Sequence, residues 1–355
     1  MDYPVKRAEE WAKLAGPSIA QRLASLCREA CYRRRARRKA RRTTRPTLDL
    51  VSASKQPGRG SDIVLISVCR NAEKYLPSLL GHYRRLGVHR FAFVDDASTD
   101  ATSAILRQAD DVDLFVSDIN YRQAGGGMLW RDMLIDHYGR GRWYVYVDTD
   151  EYLVYPGCEK RPLQEFIGDL QRHGLKRAHA AMIDIYPDGS LGSHRVAPAD
   201  APPTETSPLY DGSGYTIGNE KFGTAVRGGP RLRLYGTQMR MSKFPVIYAD
   251  GATQFAGGSV HGPLPLARNF AAVHAVLLHH KFPTGAVEDF RAIAALGAHT
   301  GNAVFYKQII SDPGFNEETD FRYAHSHRYA GAQQLVDQGF IQDLRRNPDR
   351  GTVRT

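Results

Sequence analysis

The sequence has few cysteines and no long apolar run. Its 355 residues include four cysteines, and none of them forms a C-x-x-C pair, which argues against a disulfide or zinc framework and suits a reducing compartment. No apolar stretch reaches the roughly 18 residues that a membrane-spanning helix needs. The first residues include acids and lack the apolar core of a secretory signal peptide. We therefore expect a cytoplasmic location.

Basic charge is concentrated in one part of the chain. The formal net charge is +10, and residues 28–45 carry ten basic side chains against one acid, Glu29, so this segment contributes +9. Such a segment is typical of a solvated tail, of a peripheral anchor on an anionic membrane, or of nucleic-acid binding. No zinc-finger or RRM motif accompanies it, so nucleic acid is the least favoured partner. We expect a basic arm over residues 1–45 and a linker over 46–61, and a peripheral contact between residues 28–45 and the inner face of an anionic membrane stays an open alternative to a solvated tail.

Apolar strand patterns alternate with helical patterns between residues 62 and 154. Each predicted strand is separated from the next by a helix of period 3.6. The predicted strands are 62–68, 91–94, 112–116 and a run that starts at Trp143, and the predicted helices are 75–86, 99–108 and 128–138. This alternation predicts an α/β fold with a Rossmann-like, mostly parallel sheet flanked by helices.

The pattern is looser after residue 155. Residues 190–230 are rich in proline, glycine, serine and threonine, which predicts irregular loops that face a substrate. Further elements are predicted as helices over 162–173, 286–297 and 303–310, and as strands over 178–185, 231–235, 244–248 and 273–278.

The strand that starts at Trp143 ends in three carboxylates, Asp148, Asp150 and Glu151. Asp148 and Asp150 are separated by one residue, so on extended backbone their side chains point the same way. Two hard oxygen ligands on one face suit Mg²⁺ or Mn²⁺, which shares its remaining positions with water and substrate phosphates. Alternatively, these residues form a solvated loop.

Polar groups also follow two other predicted strands. Asp95 and Asp96 come after the second strand, where a carboxylate can accept hydrogen bonds from a ribose or a base, or can cap the next helix. The late strand ends in His279, His280 and Lys281. Since parallel strands end at the same edge of a sheet, these groups are expected to meet there and to hold a nucleoside diphosphate.

Several of these motifs together resemble one enzyme family. The segment 94–102 (VDDASTDAT) is similar to the nucleotide-binding motif of family 2 glycosyltransferases, and 148–153 (DTDEYL) resembles their DxD motif in its DxDE form. The segments 67–72, 86–91 and 277–281, and Glu288-Asp289-Phe290, also resemble the family-2-like and family-92-like branch. The resemblance covers roughly residues 62–310 and is most specific before residue 155.

The resemblance implies a GT-A fold and transfer of a sugar from a nucleotide-sugar, most often a UDP-sugar, with inversion at the anomeric carbon. It implies a nucleotide-sugar-binding half over 62–155 and an acceptor-binding half over 156–340, followed by a polar tail over 341–355. The acceptor is expected to be a glycan or a lipid-linked acceptor, in polysaccharide biosynthesis.

The resemblance and the charge pattern together give a set of expected site residues. The expected nucleotide-sugar-binding residues are Arg70, Asn71, Asp95, Asp96, Asp148, Arg131 and Lys281. The expected ligands of Mn²⁺ or Mg²⁺ are Asp148, Asp150, His279 and His261. The candidates for the base that deprotonates the acceptor are Asp184, which is favoured, Glu151 and Glu220. Glu151 points away from its neighbours on extended backbone and could orient the loop instead.

Three other functions are weaker interpretations of the same residues. A haloacid-dehalogenase-type phosphatase would have Thr or Val two residues beyond the second Asp, where this chain has Tyr152. A sugar-phosphate nucleotidyltransferase would have a glycine-rich first loop, where this chain has Cys69, Arg70 and Asn71. An inactive adaptor with a polyanion-binding arm would not need the intact pair Asp148 and Asp150.

Overall fold

The structure is a computed structural model that describes residues 1–42, 46–58, 60, 62–193, 197–297 and 300–345. The residues so described form sixteen strands and ten α-helices. The strands are β1 (Asp2–Tyr3), β2 (Leu48–Ser52), β3 (Val64–Cys69), β4 (Arg90–Asp95), β5 (Val112–Ser117), β6 (Arg142–Tyr146), β7 (Glu151–Val154), β8 (Arg177–Tyr186), β9 (Leu209–Asp211), β10 (Tyr215–Glu220), β11 (Gly223–Arg227), β12 (Ser242–Ala249), β13 (Gln254–Ser259), β14 (Gly262–Leu264), β15 (Ala275–His279) and β16 (Ser326–Arg328). The helices are α1 (Ala8–Ala15), α2 (Ile19–Arg42), α3 (Leu76–Arg85), α4 (Thr102–Gln108), α5 (Met128–Tyr138), α6 (Leu163–Arg172), α7 (Pro230–Tyr235), α8 (Ala286–Leu296), α9 (Val304–Ile310) and α10 (Ala332–Asp337).

A mixed sheet of eleven strands forms the centre of the molecule. Four consecutive strands in the order β5-β4-β3-β6 are parallel, as the alternation of strands and helices predicts. Antiparallel strands extend this parallel part on both sides, with β2 next to β5 and β12 next to β6. β8 follows β12, and β15 pairs in parallel with β8 and in antiparallel with β7. The predicted class, an α/β fold with a Rossmann-like sheet flanked by helices, is confirmed.

Helices cover both faces of the parallel strands. Adjacent residues of a strand point to opposite faces, and in β3 Leu65 contributes to one buried apolar cluster while Val64 and Ile66 contribute to the other. The first cluster contains the apolar side chains of α3, α4 and α6, and the second contains those of α5. Burial on both faces explains why the strand sequences are almost continuously apolar.

The predicted strand over 231–235 is a helix in the structure, which corrects that prediction. Alternating Arg and Leu residues gave the segment the period of a strand, but Pro230 occupies the first turn of α7, where its fixed φ and missing N–H are tolerated. Gly236 ends the helix in the left-handed conformation (φ 67°). The flanking residues therefore outweigh the apolar period.

Residues 190–230 contain more regular structure than the sequence predicts. Within the part that is described, β10 and β11 form an antiparallel hairpin from Thr216 opposite Arg227 to Glu220 opposite Gly223. Gly223 has φ 115°, and a Cβ atom at this position would lie 2.3 Å from the Asn269 side chain. The glycines that suggested irregular loops therefore include one that permits close packing of a hairpin.

The segment predicted as a linker, residues 46–61, contains β2, which pairs with β5 from Leu48 opposite Ser117 onward. The strand lies at the edge of the sheet and is mostly exposed, so its sequence shows little apolar pattern. Residues 43–45, at the end of the predicted basic arm, lie outside the described residues.

The first residues of the chain belong to the folded body. β1 pairs with β10, and the Val5 N–H donates a hydrogen bond to the Gly339 carbonyl at 2.9 Å. The Tyr3 hydroxyl donates to the Phe340 carbonyl at 2.6 Å, and Trp11 of α1 is buried. Both ends of the described chain are therefore fastened together. None of the described helices has the length and apolarity needed to cross a membrane.

Candidate active site

The candidate site lies where the order of the parallel strands reverses. From β3 the chain proceeds to β4 and β5 on one side, and β6 then returns to the other side of β3. Open α/β sheets bind ligands in the crevice at the carboxyl ends of the strands beside such a reversal. Arg70 and Asn71 follow β3 and Asp148 follows β6. The topology therefore places three of the predicted nucleotide-binding residues at this edge.

A tight turn carries the acidic motif from β6 into β7. The Asp148 backbone N–H donates a hydrogen bond to the Glu151 carboxylate at 2.9 Å, and Glu151 is fully buried at the start of β7. Its other oxygen accepts a hydrogen bond from Lys243 Nζ at 2.5 Å. Burial raises the pKa of Glu151, and the charge of Lys243 opposes this rise. Glu151 therefore stabilises the turn on which Asp148 and Asp150 lie.

Three of the predicted site residues lie in one row across neighbouring strands. β15 lies between β7 and β8, and His279 is paired with Glu151 on one side and with Asp184 on the other. Directly paired residues project from the same face of a sheet and lie close together. The strand register thus unites residues from three distant segments of the chain.

Asp184 is held by two partners inside the protein. It is fully buried, and Arg231 donates two hydrogen bonds to its carboxylate, from Nε at 2.7 Å and from Nη2 at 2.9 Å. His279 Nδ1 lies 2.6 Å from Asp184 Oδ1. Burial raises the pKa of Asp184, but the charge of Arg231 and the bond with His279 outweigh it and lower the pKa to about 2. The carboxylate of Asp184 therefore orients the His279 imidazole in this structure, and its role as the base stays a prediction.

Asp150 lies on the other side of the same histidine. Its Oδ2 accepts a hydrogen bond from Lys281 Nζ at 2.9 Å and lies 3.4 Å from His279 Nε2. Burial raises the pKa of Asp150, but the charges of Lys281 and His279 outweigh it, so that the pKa lies well below its ordinary range. Burial lowers the pKa of His279, and Asp150 and Asp184 more than reverse that effect. The histidine is therefore oriented by carboxylates at both ring nitrogens.

Asp148 faces cations and retains 42% of its side-chain exposure. Lys243 Nζ donates to one carboxylate oxygen at 2.5 Å, and Arg131 Nη2 donates to the other at 3.2 Å. Desolvation raises the pKa of Asp148, but the charges of Lys243 and Arg131 outweigh it and the pKa is lowered. Asp148 is thus the member of the motif that is both ionised and accessible.

A turn that contains Gly126 and Gly127 packs against the Arg131 side chain. Arg131 lies on α5 and is 2% exposed, and its Nη1 donates a hydrogen bond to the Gly126 carbonyl at 3.2 Å. Gly127 has φ 74°, and a Cβ atom there would lie 2.7 Å from Arg131 Nη1 and 3.1 Å from Val68 Cγ2. The glycine therefore leaves room for the guanidinium to reach Asp148.

The two carboxylates at the end of β4, Asp95 and Asp96, have different surroundings. Asp96 Oδ1 accepts a hydrogen bond from the Tyr121 N–H at 2.9 Å, and Arg70 Nη1 lies 3.8 Å from Asp96 Oδ2. Burial raises the pKa of Asp96. Asp95 Oδ1 instead accepts hydrogen bonds from the backbone N–H and the hydroxyl of Ser98, at 3.0 and 2.5 Å. Asp95 thus fixes the local turn, while Asp96 connects the loops after β3, β4 and β5.

Asn71 links the first two loops of this edge. It adopts a left-handed conformation (φ 50°), its N–H donates to Ser98 Oγ at 2.9 Å, and its side-chain oxygen accepts from the Thr99 N–H at 2.8 Å. The side chain therefore shapes the loop in this structure.

The described residues contain one group of three potential metal ligands, Asp150, Glu151 and His279, whose ligand atoms lie within 4.8 Å of one another. Two of the four predicted ligands, Asp150 and His279, belong to this group. Asp148 is next to it in sequence but is turned towards Lys243 and Arg131. A carboxylate and an imidazole nitrogen form a chemically reasonable donor pair for a divalent ion.

His261 does not belong to that group. Its Nδ1 lies 2.7 Å from the Ser242 carbonyl, and burial is the main reason why its pKa is lowered to about 3.

The third base candidate, Glu220, lies at the end of β10 and accepts two hydrogen bonds from Arg227 at 2.6 and 2.9 Å. Each of the three base candidates is thus paired with a cation in this structure.

Sequence reasoning missed two cations of the site, Lys243 and Arg231. Lys243 lies within the apolar strand β12 and is 4% exposed, and Arg231 is 3% exposed on α7. A lysine inside an apolar strand was a usable sign, since a buried charge requires a partner. Arg231 had no such sign, because in a strand of alternating Arg and Leu residues the arginines would lie together on the solvent face.

Comparisons with known proteins give only remote structural likenesses. No protein-family model matches the chain, and no curated protein matches it. A mannosyltransferase from Pyrobaculum calidifontis, solved with GDP-Man and Mn²⁺, is 17% identical over 48% of this chain and 46% of its own, with a TM-score of 0.26. HddC from Yersinia pseudotuberculosis is 12% identical over 64% of this chain and 97% of its own, with a TM-score of 0.33. The first match spans less than half of the mannosyltransferase, and both scores are too low to carry an argument about this chain.

Proposed function

We propose that this chain is a metal-dependent, inverting glycosyltransferase that moves a sugar from a nucleotide-sugar, a UDP-sugar in the first instance, to a hydroxyl of a glycan or lipid-linked acceptor. The observation that supports it is the convergence of Asp148, Asp150 and His279 with the cations Arg131 and Lys281 at the strand reversal. A diphosphate needs positive charge, and a ribose or base needs hydrogen-bond acceptors. This edge of the sheet offers both.

The donor would lie along the loops at the carboxyl ends of β3, β4 and β6. Asp96, with Arg70 beside it, would accept hydrogen bonds from the nucleoside. Asp148 is exposed enough to contact the ribose or a bound ion. Arg131 and Lys281 would pair with phosphate oxygens, at the expense of part of their present pairing with Asp148 and Asp150.

Asp150 and His279 are the residues that would hold the metal. His279 Nε2 faces Asp150 while its Nδ1 is bound to Asp184, and a carboxylate on the second ring nitrogen is the usual way to orient a ligating histidine. Mg²⁺ and Mn²⁺ typically take only one or two protein carboxylates and leave positions for phosphate. When bound, the ion would supply positive charge for the departing diphosphate.

In the proposed reaction the acceptor oxygen forms a bond to the anomeric carbon while the bond from that carbon to the phosphate oxygen breaks. The bonding electrons leave with the nucleoside diphosphate, where Lys281 and Arg131 would stabilise the growing negative charge. The acceptor proton passes to a carboxylate. Asp184, Glu151 and Glu220 are the candidates predicted for this base. Of these, Asp184 has the geometry of a residue that positions His279.

Nucleotide binding by the purified protein tests this proposal. We expect UDP with Mn²⁺ to raise the unfolding temperature, because a ligand at 100 times its Kd that binds only the folded state adds about 2.7 kcal/mol of stability. Asp150→Asn should abolish the metal-dependent part of this shift. Asp188→Asn, which removes a carboxylate from a surface ion pair with Arg322 and Arg328, should leave it unchanged.

Product analysis completes the test. With a UDP-sugar and an acceptor, a transferase releases UDP, whereas a nucleotidyltransferase working on a sugar phosphate and UTP releases pyrophosphate. The proposal is wrong if no nucleotide stabilises the protein with or without Mn²⁺. It is also wrong if Asp150→Asn keeps the full metal-dependent shift.

A further inference from the structure

The outward face of α2 is apolar although it faces solvent. Ile19, Leu23 and Leu26 are 79%, 59% and 58% exposed. They are spaced four and three residues apart, so they form one stripe along the helix, and the exposed Ala30 continues it for another turn. Single exposed leucines are common on protein surfaces. A stripe of three large aliphatic side chains on one helix face indicates an interaction surface.

The side of α2 that flanks the stripe is held against the body of the protein. Glu29 accepts a hydrogen bond from the Leu266 N–H at 3.1 Å, and Arg33 donates one to the Ala252 carbonyl at 2.6 Å. The Tyr32 ring stacks on Phe222 with 6.0 Å between ring centroids. These contacts prevent the helix from turning its apolar stripe inward, so the exposure of the stripe is a property of the docked helix.

Positive charge follows the apolar stripe along the same helix. Arg34 and Arg37 lie eight and eleven residues beyond Leu26, at positions that continue its face, and both are exposed together with Arg35 and Arg38. Residues 28–45 carry ten basic side chains against one acid. An apolar stripe that runs into clustered arginines offers the two attractions that bind a helix to an anionic membrane surface, burial of apolar area and electrostatic attraction to acidic lipids.

We propose that α2 docks the protein on an anionic lipid bilayer, with Ile19, Leu23 and Leu26 inserted between the lipids and the following arginines bound to the headgroups. The charge of α2 distinguishes among the partners that could bind the apolar stripe. A second copy would bring another strongly positive α2 against the first and would be repelled. Nucleic acid would use the arginines and leave the aliphatic stripe in water. A membrane surface with acidic headgroups uses both features, and this inference does not depend on the proposed enzymatic activity.

Co-sedimentation of the full chain with lipid vesicles tests the inference. We expect binding to phosphatidylcholine vesicles that contain phosphatidylglycerol, much weaker binding to phosphatidylcholine alone, and weakening by salt. The double variant Leu23→Gln and Leu26→Gln keeps every charge and should reduce partitioning about tenfold or more, since each buried leucine contributes strongly to transfer from water. Arg34→Gln should reduce it about fivefold, as expected for one charge near the surface.

Leu296→Gln is the matched control, because Leu296 is 65% exposed on α8, outside α2; it should bind vesicles like the unaltered protein. All variants alter exposed side chains, and an unchanged unfolding temperature verifies that they are folded. Deletion of residues 1–45 is a poor test, since it also removes Tyr3 and Trp11 from the core. The inference is overturned if the protein does not bind anionic vesicles or if the leucine variant binds them normally. It is equally overturned if the stripe instead controls self-association, or if the arginines bind duplex DNA while vesicles do not bind.

Discussion

At the residue scale, the site is a set of carboxylates that each have a cation. Asp148 pairs with Lys243, Asp150 with Lys281, and Asp184 with Arg231. Buried ion pairs add little to stability because desolvation opposes the attraction between the charges. Removal of one partner is costly, however, because it leaves the other charge buried without a partner. These residues are therefore expected to be sensitive to single substitutions.

Arg231→Met tests this expectation on stability. The substitution leaves the fully buried Asp184 without its two guanidinium hydrogen bonds, so we expect the free energy of unfolding, measured with urea, to fall by about 3–5 kcal/mol. Arg322→Met is the control, since Arg322 also donates from Nε and Nη2 to one aspartate, Asp320, but at the surface. The control should unfold at nearly the same urea concentration as the unaltered protein. Equal, small effects of both substitutions would show that Asp184 is not held by Arg231.

At the element scale, short connections after the strands determine what the sheet edge presents. The turn between β6 and β7 is braced by Glu151, and the turn before α5 consists of Gly125, Gly126 and Gly127, all with positive φ. Side chains at such φ values cost energy. All three glycines suit the positive φ of the turn, and Gly127 also leaves room for Arg131 to reach Asp148.

Gly127→Ala and Gly125→Ala form a matched pair for this turn. Both positions have similar φ, 74° and 68°, but an added Cβ contacts Arg131 Nη1 at 2.7 Å only at residue 127, and at residue 125 nothing lies within 4 Å. Gly125→Ala should cost roughly 1–2 kcal/mol of stability and leave nucleotide affinity unchanged. Gly127→Ala should also displace Arg131 and weaken UDP binding about tenfold, as expected for one charge-assisted hydrogen bond. Titration calorimetry with UDP and Mn²⁺ measures the affinity of each variant. Equal affinities of the two variants would show that Arg131 does not contact the donor.

At the scale of the whole molecule, two buried histidines, His179 and His274, and two half-buried ones, His82 and His261, are neutral in the folded protein. Burial lowers the pKa of His82 to about 4 and those of His179, His261 and His274 to about 3. In the unfolded chain these groups titrate near pH 6.5. Below that pH the unfolded state binds more protons than the folded state, so stability falls as the pH decreases. His279 and Asp132, whose pKa values are raised, act in the opposite direction, as do Asp96, Glu151 and Asp211. The four histidines outweigh them between pH 7 and pH 5, because each histidine takes up its proton in the unfolded chain within this range.

Stability should therefore decrease on mild acidification. We expect the free energy of unfolding to fall by at least about 2 kcal/mol between pH 7 and pH 5, as measured by urea unfolding at each pH. His274→Gln should reduce the slope, because it removes one of the depressed groups, while the exposed His89 replaced by Gln should not change it. A free energy that is constant over this range would contradict the burial of the histidines in neutral form.

The elements of the first half followed from sequence because their signals are local. Helix α5 spans the predicted 128–138, and α3, β4 and β5 differ from prediction by only a few residues. Apolar period, glycine stops and carboxylates after strands all act within one element, so they also placed Asp148 and Asp150 at the end of a strand. The docking of residues 1–5 and the strand within 46–61 were missed, since exposed or very short strands carry little apolar pattern.

The sequence by itself determined that apolar strands end in carboxylates, that they alternate with helices, and that positive charge is concentrated near the N-terminus. Only the tertiary structure decided which cation meets which carboxylate, because Lys243, Arg231 and Lys281 reach their partners across strand registers and a helix far away in the chain. It also decided that Asp184 is enclosed beside His279 and that one face of α2 is docked while its apolar stripe stays in solvent. Such outcomes depend on packing between distant segments, which no local pattern encodes.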